Sequence, residues 1–497
     1  MQSLQSSTFS VAVIALATCA PLFAAPCENL IAQSSEKAKI VTAESVPAGA
    51  SPVLPAFCRV AAILLPTSDS EIRMEIWLPL ANWNGKLHAS GNGGWSGAIN
   101  PAALAAAVRR GYAAAMSDLG HEGGSARFAL GHPEKLIDYG YRATHEMAVT
   151  AKAITAAFYG RPPRLSYFNG CSAGGRQGLM EAQRFPADFD GIVAGSPGLN
   201  WTGRAMLSMW IAQAAHKNEA SYIPPSKYPL VHQAVLRACD ARDGIKDGVL
   251  EDPTVCNFDP AEIKCADADG PKCLTRSQTE TAQAIYSPPK DSRTNRIIFP
   301  ALERGSELGW ATMAGPQPFG TGLDLFKYVV FRDPAWDYRS FNFDADVTRT
   351  AEAENGILNA MNPNLKEYSA RGGKLIQYHG WSDPQIAPRA SVTYYEGVLE
   401  KLGGKKNVED FYRLFMVPGM AHCGGGDGTS NFDMLDALEN WVEHGRPPDQ
   451  IVASRVSDTG IVDRTRPLCP YPQRAQWKGT GSTDEAQNFV CAVGNRR

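Results

Sequence analysis

The stretch RLSYFNGCSAGGRQGLMEAQRF (164–185) decides the fold. Its first seven residues, with Leu165, Tyr167 and Phe168, read as a short strand, and GGRQGLMEAQRF begins a helix. Between them stands Gly170-Cys171-Ser172-Ala173-Gly174, a G-x-S-x-G. In a strand-to-helix setting the glycines permit a turn so tight that a Cβ beside the serine would clash, and the turn lifts the hydroxyl to the C-terminal edge of a sheet. The pentapeptide alone is a weak signal, since a structural glycine turn reads the same way. Its strand–turn–helix context makes Ser172 the candidate nucleophile.

Outward from this unit the chain alternates strand and helix. RVAAILLP (59–66), EIRMEIWLPL (71–80) and KLHASGNGG (86–94) read as strands, the last ending in a glycine-rich turn. PAALAAAVRRGY (101–112) is helical and AAAMSDLG (113–120) strand-like, and residues 138–160 form a long helix stopped by Gly160, Pro162 and Pro163. DFDGIVAGSPG (188–198) is a further buried strand. The rhythm breaks at 199–345, a stretch with four cysteines, many Pro and Gly, and acidic loops. It resumes with GGKLIQYHGWSDP (372–384), a helix at 390–402, FYRLFMVPGMAHCGGG (411–426) and an amphipathic helix within 431–445. Alternation of this kind predicts a parallel sheet covered on both faces. The fold class is therefore α/β: an α/β-hydrolase core from 26–198 and 346–497, with 199–345 inserted as a lid domain.

A serine hydroxyl is a poor nucleophile near neutral pH and needs a base that a third group orients. In this fold the chain order is serine, acid, histidine. His422 and Asp383 each follow a predicted strand, where the sheet's edge presents them. His379 stands only four residues before Asp383 and reads as lining the pocket; His216, His232 and His444 read as ordinary, and Asp427 and Asp433 lie too close to His422 to partner it. The oxyanion of the tetrahedral intermediate needs donors. The N–H of Ala173 is one, and the turn Gly91-Asn92-Gly93-Gly94-Trp95 offers the other, from Gly94 or alternatively Gly93, unless it is a simple glycine turn.

Composition excludes other classes. The formal charge is −3, from 48 basic and 51 acidic residues scattered along the chain, which removes nucleic acid and a polybasic membrane patch. Residues 9–25 (FSVAVIALATCAPLFAA) are apolar, end in small residues and are too short to span, as in a secretory signal covering 1–25, although no Lys or Arg precedes the run. A buried N-terminal helix is the alternative; a lipoprotein site at Cys19 is disfavoured by Thr18 before it. No other stretch predicts a membrane span. Removing Cys19 leaves ten of eleven cysteines, none in C-x-x-C spacing. Local disulfides in an oxidising compartment fit them, with the connectivity open. The protein is expected to be secreted or periplasmic.

These motifs together resemble the tannase/feruloyl esterase family of α/β-hydrolases. Cys171-Ser172, Asp383 and His422-Cys423 match its CS-D-HC arrangement, and EIWLP, GNGG, GCSAGGRQG, HGWSDP, PGMAHC and PLCPYP carry the resemblance through the chain. It implies a disulfide Cys171–Cys423 tying the serine loop to the histidine loop, and pairs Cys27–Cys58, Cys239–Cys256, Cys265–Cys273 and Cys469–Cys491. It also implies a structural calcium ion in the insertion, held by the side chains of Asp240, Asp243 and Asp247 and the carbonyls of Ile245 and Val249. From residues alone that loop is as readily a solvated acidic turn, because Arg242 breaks EF-hand spacing. The substrate implied is a small aromatic ester. A hydroxycinnamoyl (feruloyl) ester is favoured over a galloyl ester or mono(hydroxyethyl) terephthalate. Enzymes for the last use a lid arginine, for which Arg332 is the nearest candidate by context. Lid aromatics such as Trp310, Phe319, Phe326 and Phe331 can stack on a phenolic ring, though core packing accounts for most of them. A non-catalytic polyphenol- or carbohydrate-binding protein on the same scaffold is the reading from another class, and the intact serine, aspartate and histidine argue against it.

Overall fold

The computed structural model describes residues 25–49, 54–457 and 459–494. The expected signal, apart from Ala25, lies outside the described residues.

Nine strands make one sheet: β1 (Ala38–Val46), β2 (Phe57–Leu64), β3 (Ile72–Pro79), β4 (Lys86–Ser90), β5 (Ala113–Ser117), β6 (Leu165–Cys171), β7 (Gly191–Gly195), β8 (Lys374–Gly380) and β9 (Tyr412–Val417). Their order is β1-β2-β3-β5-β4-β6-β7-β8-β9. The first three strands and the β3–β5 pair are antiparallel, and everything from β5 to β9 runs parallel. Alternate residues of the parallel strands enter two separate cores. Phe168, Ile192, Leu375 and Leu414 pack on one face, and Tyr167, Val193, Ile376 and Phe415 on the other. Near-continuous apolar runs are what a strand covered on both faces requires.

The register places the functional loops together. Cys171 pairs with Gly195, Gly195 with Tyr378, and Gly380 with Val417, so the residues following β6, β7, β8 and β9 all emerge at one edge. Between β7 and β8 the chain adds no strand to the sheet; its longer helices are Trp201–Ala215, Tyr228–Cys239, Arg276–Ile285 and Asp346–Glu354. After β9 come the helix Met434–His444 and two antiparallel hairpins, β10 (Ile451–Val456) with β11 (Val462–Leu468) and β12 (Gln473–Trp477) with β13 (Phe489–Val493). Among the described residues no helix is long and apolar enough to cross a membrane.

Candidate active site

Ser172 closes β6 and caps the helix Ala173–Arg184, with φ 65° and ψ −119°. A non-glycine residue rarely takes a positive φ, and the surroundings hold it there. The Ser172 N–H donates to the Gly195 carbonyl at 2.9 Å, while the Ser172 carbonyl accepts from Arg176 and Gly198, each at 3.1 Å. The turn depends on glycine at two places: a Cβ on Gly170 would lie 2.6 Å from the Gly174 backbone, and one on Gly175 would lie 2.3 Å from the Gly195 carbonyl oxygen.

Asp383 follows β8 and is fully buried. Its Oδ1 accepts the N–H groups of Gln385 (2.8 Å) and Ile386 (3.0 Å), and its Oδ2 accepts His422 Nδ1 at 2.7 Å. The two loops lie directly against each other, since Ser382 donates to the Met420 carbonyl at 3.0 Å. Glycine at 380 makes that approach possible, because a Cβ there would stand 2.2 Å from the Met420 oxygen. Burial by itself raises the Asp383 carboxyl. The His422 charge and the hydrogen bonds from His379 and His422 outweigh it and hold the acid well below the usual carboxylate range. Among the described residues Ser172 Oγ donates to no protein acceptor. The serine and histidine loops are instead joined by the disulfide Cys171–Cys423, with Cα atoms 6.0 Å apart. Catalytic hydrogen bonds of this kind commonly tighten only when substrate binds.

Ala173 opens its helix, so its N–H is one of the four that a helix leaves without an intrahelical partner. The turn 91–95 rests on that helix end: a Cβ at Gly174 would be 3.1 Å from the Asn92 carbonyl. Asn92 anchors the turn, its N–H donating to Gln177 Oε1 (3.1 Å) and its amide to the carbonyls of Ala98 and Ser117 (both 3.0 Å). Gly94 has φ 50°, and its carbonyl accepts the Tyr139 hydroxyl at 2.5 Å.

The sequence profile for tannase and feruloyl esterase matches residues 58–492. The chain belongs to the tannase and feruloyl esterase family. It is 39% identical to an uncharacterised esterase of Xanthomonas campestris, across 97% of this chain and 93% of that protein. It is 34% identical to a probable feruloyl esterase B-2 of Aspergillus terreus, across 88% and 86%. Among solved structures, feruloyl esterase B of Aspergillus oryzae superposes with a TM-score of 0.88 at 30% identity, over 94% of this chain and 99% of that one. Tannin acyl hydrolase of Aspergillus niger, at 23% identity and TM-score 0.80 over 95% and 94%, shares the fold. As a member of this family the protein is a carboxylic ester hydrolase.

The five disulfides are those the family resemblance implies: Cys27–Cys58, Cys171–Cys423, Cys239–Cys256, Cys265–Cys273 and Cys469–Cys491. His379 differs from expectation. It is sealed from solvent and does not line a pocket; Nε2 lies 3.1 Å from Asp383 Oδ2 and Nδ1 lies 2.7 Å from Ser391 Oγ. The four-residue return from His379 to Asp383 folds the ring under the carboxylate, which a residue count along the chain does not show. Arg332 is exposed. Trp310 and Phe326 are buried in the same core as Phe168 and Leu375 of the sheet, whereas Phe319 is half-buried.

In the acidic loop, Asp243, Ile245, Asp247 and Val249 line one cavity of about 20 Å³, together with Glu251. That is room for a single water-sized sphere. Asp240 stands apart from it, its carboxylate accepting the Gly248 N–H at 3.1 and 3.2 Å and the Asp247 N–H at 3.3 Å. Asp247 Oδ2 takes Arg466 at 2.5 Å and Arg464 at 3.4 Å. Among the described residues no three His, Cys, Asp or Glu side chains converge as a metal cluster.

Proposed function

We propose that the protein hydrolyses esters of aromatic acids, hydroxycinnamoyl esters foremost, outside the cytoplasm. The observation that carries the mechanism is the 2.7 Å hydrogen bond from His422 Nδ1 to a fully buried Asp383, beside a serine held at a strained turn. With Nδ1 committed to Asp383, Nε2 of His422 is the free base. It takes the Ser172 proton as Oγ adds to the ester carbonyl carbon. The N–H groups of Ala173 and Gly94 receive the resulting oxyanion; one such donor is worth about 3–4 kcal/mol of barrier. The imidazolium, stabilised by Asp383, then returns the proton to the departing alcohol oxygen. A water, deprotonated by the same nitrogen, releases the acid from the acyl-serine and restores the hydroxyl. The feruloyl esterase B relatives favour a hydroxycinnamoyl acyl group. Five disulfides favour an oxidising compartment, reached through the apolar N-terminal segment. Residues 199–345 act as a lid over the sheet edge.

Hydrolysis of methyl ferulate, methyl gallate and a terephthalate monoester, with fluorophosphonate labelling of Ser172, tests this reading. Preference for methyl ferulate supports it. An unlabelled Ser172 with no turnover of any ester points to a binding protein instead.

Calcium in the insertion belongs to the same proposal. The lining offers hard oxygen from three carboxylates, Asp243, Asp247 and Glu251, and from the backbone of Ile245 and Val249, which suits Ca²⁺ once Arg464 and Arg466, which line the cavity too, release Asp247. Asp243, Asp247, Ile245 and Val249 would hold it, with Asp240 joining by giving up its bonds to Gly248 and Asp247. The ion supplies folding stability to the insertion and takes no part in the ester chemistry.

A further inference from the structure

Two arginines are fully enclosed near the site, and the chain treats them differently. Arg176 donates to the carbonyls of Gly140 (2.7 Å), Tyr139 (3.1 Å) and Leu358 (3.4 Å), so it staples backbone segments together. Arg204, on the helix Trp201–Ala215, is 3% exposed and has neither an ion pair nor a side-chain hydrogen bond among the described residues; its Nε and Nη2 are sealed from solvent without an acceptor. Burial lowers it to about 10, so it remains a cation at neutral pH. An enclosed, unpaired guanidinium is costly, and an acceptor from a bound ligand offsets that cost.

Its position identifies that partner. The guanidinium carbon lies 4.6 Å from the Trp201 ring centre and 5.1 Å from that of Phe319. Such contacts occupy the flat faces of the group and leave its N–H edge free. Trp201 begins its helix just after Gly198, which donates to the Ser172 carbonyl, and its ring centre is 5.0 Å from that of Trp95. Trp95 adjoins Gly94 and donates to the Thr321 carbonyl at 2.9 Å, two residues beyond Phe319. Asp383 and Tyr139 are the groups that act on Arg204 electrostatically. Arg204 thus stands against an aromatic wall of Trp201 and Phe319, which Trp95 continues to the Gly94 turn and Gly198 to the serine turn.

We propose that Arg204 is a specificity-determining residue that binds an acceptor oxygen on the ring of the acyl group, phenolic or carboxylate, while the ring lies along the half-buried Phe319. This rests on the reading of the site as an aromatic esterase. The test uses three esters that differ only at the ring's para position: methyl cinnamate (no oxygen), methyl p-coumarate (phenolic oxygen) and methyl 4-carboxycinnamate (carboxylate). The wild-type protein should favour one or both oxygenated esters over methyl cinnamate by about tenfold or more in kcat/KM, as a charge-assisted hydrogen bond allows. Which of the two leads identifies the oxygen. Arg204→Met should collapse that ratio towards one. Because it removes an unpaired buried charge, it should also melt no lower than wild type, whereas loss of a structural arginine lowers the melting temperature. Turnover of all three at ratios that Arg204→Met leaves unchanged overturns the inference alone, and so does a lowered melting temperature with an equal loss on every ester. Turnover of none of the three overturns the aromatic-esterase reading and this inference with it.

Discussion

Asp383 and Asp243 are both held among other charged groups, and their surroundings drive the two carboxyls in opposite directions. At Asp383 burial raises the acid, but the His422 charge and two histidine hydrogen bonds overcome it and keep the group ionised far below the usual range. At Asp243 burial again raises the acid; the backbone N–H of Ile245 works against it, but Asp247 and Asp240 add like charge and the group reaches about 6. The first centre is complete with the partners the chain supplies. The second sets Asp243, Asp247 and Glu251 around a small cavity that Arg464 and Arg466 also line, and on the calcium proposal it gains from a cation. On the proposed function one region holds reacting groups still, and the other takes up an ion that holds the fold.

Breaking the first centre should give the largest effect. Asp383→Asn removes the acceptor that fixes the His422 tautomer, and Ser172→Ala removes the attacking oxygen. Each should lower kcat on methyl ferulate by about ten-thousandfold while the melting curve stays cooperative. Activity within tenfold of wild type in either variant refutes the assignment.

The Cys171–Cys423 bridge belongs to that centre too, and the double change Cys171→Ala with Cys423→Ala separates its two roles. A displacement of about 1 Å between serine and histidine costs on the order of a hundredfold in rate. Four other bridges and the two cores remain to carry the fold. Measured well below the melting temperature, turnover should fall about a hundredfold; a variant with near-normal turnover shows the bridge to be a staple only.

Chelation addresses the second centre. An ion at a hundredfold excess over its Kd stabilises the folded state by about 2.7 kcal/mol. Treatment with a chelator should therefore lower Tm by a few degrees and restored calcium should recover it, with kcat on a small ester nearly constant below Tm. An unaltered melting curve, together with no metal by elemental analysis, removes the ion from the structure.

The contrast also explains what could be read from the chain. β6 to β9 are short apolar runs closed by turn residues, so their positions, and with them Ser172, Asp383 and His422 at one edge, follow from local sequence. β1, with its mixed pattern of exposure, and the hairpin of polar Gln473–Trp477 with uniformly apolar Phe489–Val493 carry little alternation, and tertiary pairing makes them strands. His379 and Arg204 were hidden for a related reason. A histidine under a carboxylate and a guanidinium with no acceptor are facts of packing; in the sequence His379 reads as a pocket residue and nothing singles out Arg204. The Asp240 carboxylate turning to the Gly248 N–H is a loop geometry that carboxylate spacing does not encode.

The smallest effect concerns the link between the two centres. The helix Tyr228–Cys239, which runs directly into Asp240, carries His232. Its Nδ1 lies 2.7 Å from Glu307 in the insertion, and its Nε2 lies 3.4 Å from Asp427, in the loop that follows His422. Tyr286 also donates to Glu307, at 2.5 Å, so the cluster's charged members are His232, Glu307 and Asp427. Burial alone lowers His232, but the hydrogen bonds to Asp427 and Glu307 and their charges outweigh it and raise the imidazole to about 9. A histidine raised on folding contributes stability that is fully present below about 6.5, its unfolded value, and is lost as pH rises through about 9. The difference in melting temperature between wild type and His232→Gln should therefore be largest near pH 6 and shrink towards pH 10, from a contribution of ~1–2 kcal/mol. Lysines and tyrosines that titrate in the same range affect both proteins alike, so the difference isolates this residue. A gap that stays constant from pH 6 to 10 shows that His232 joins the insertion to the histidine loop through packing, with no charge involved.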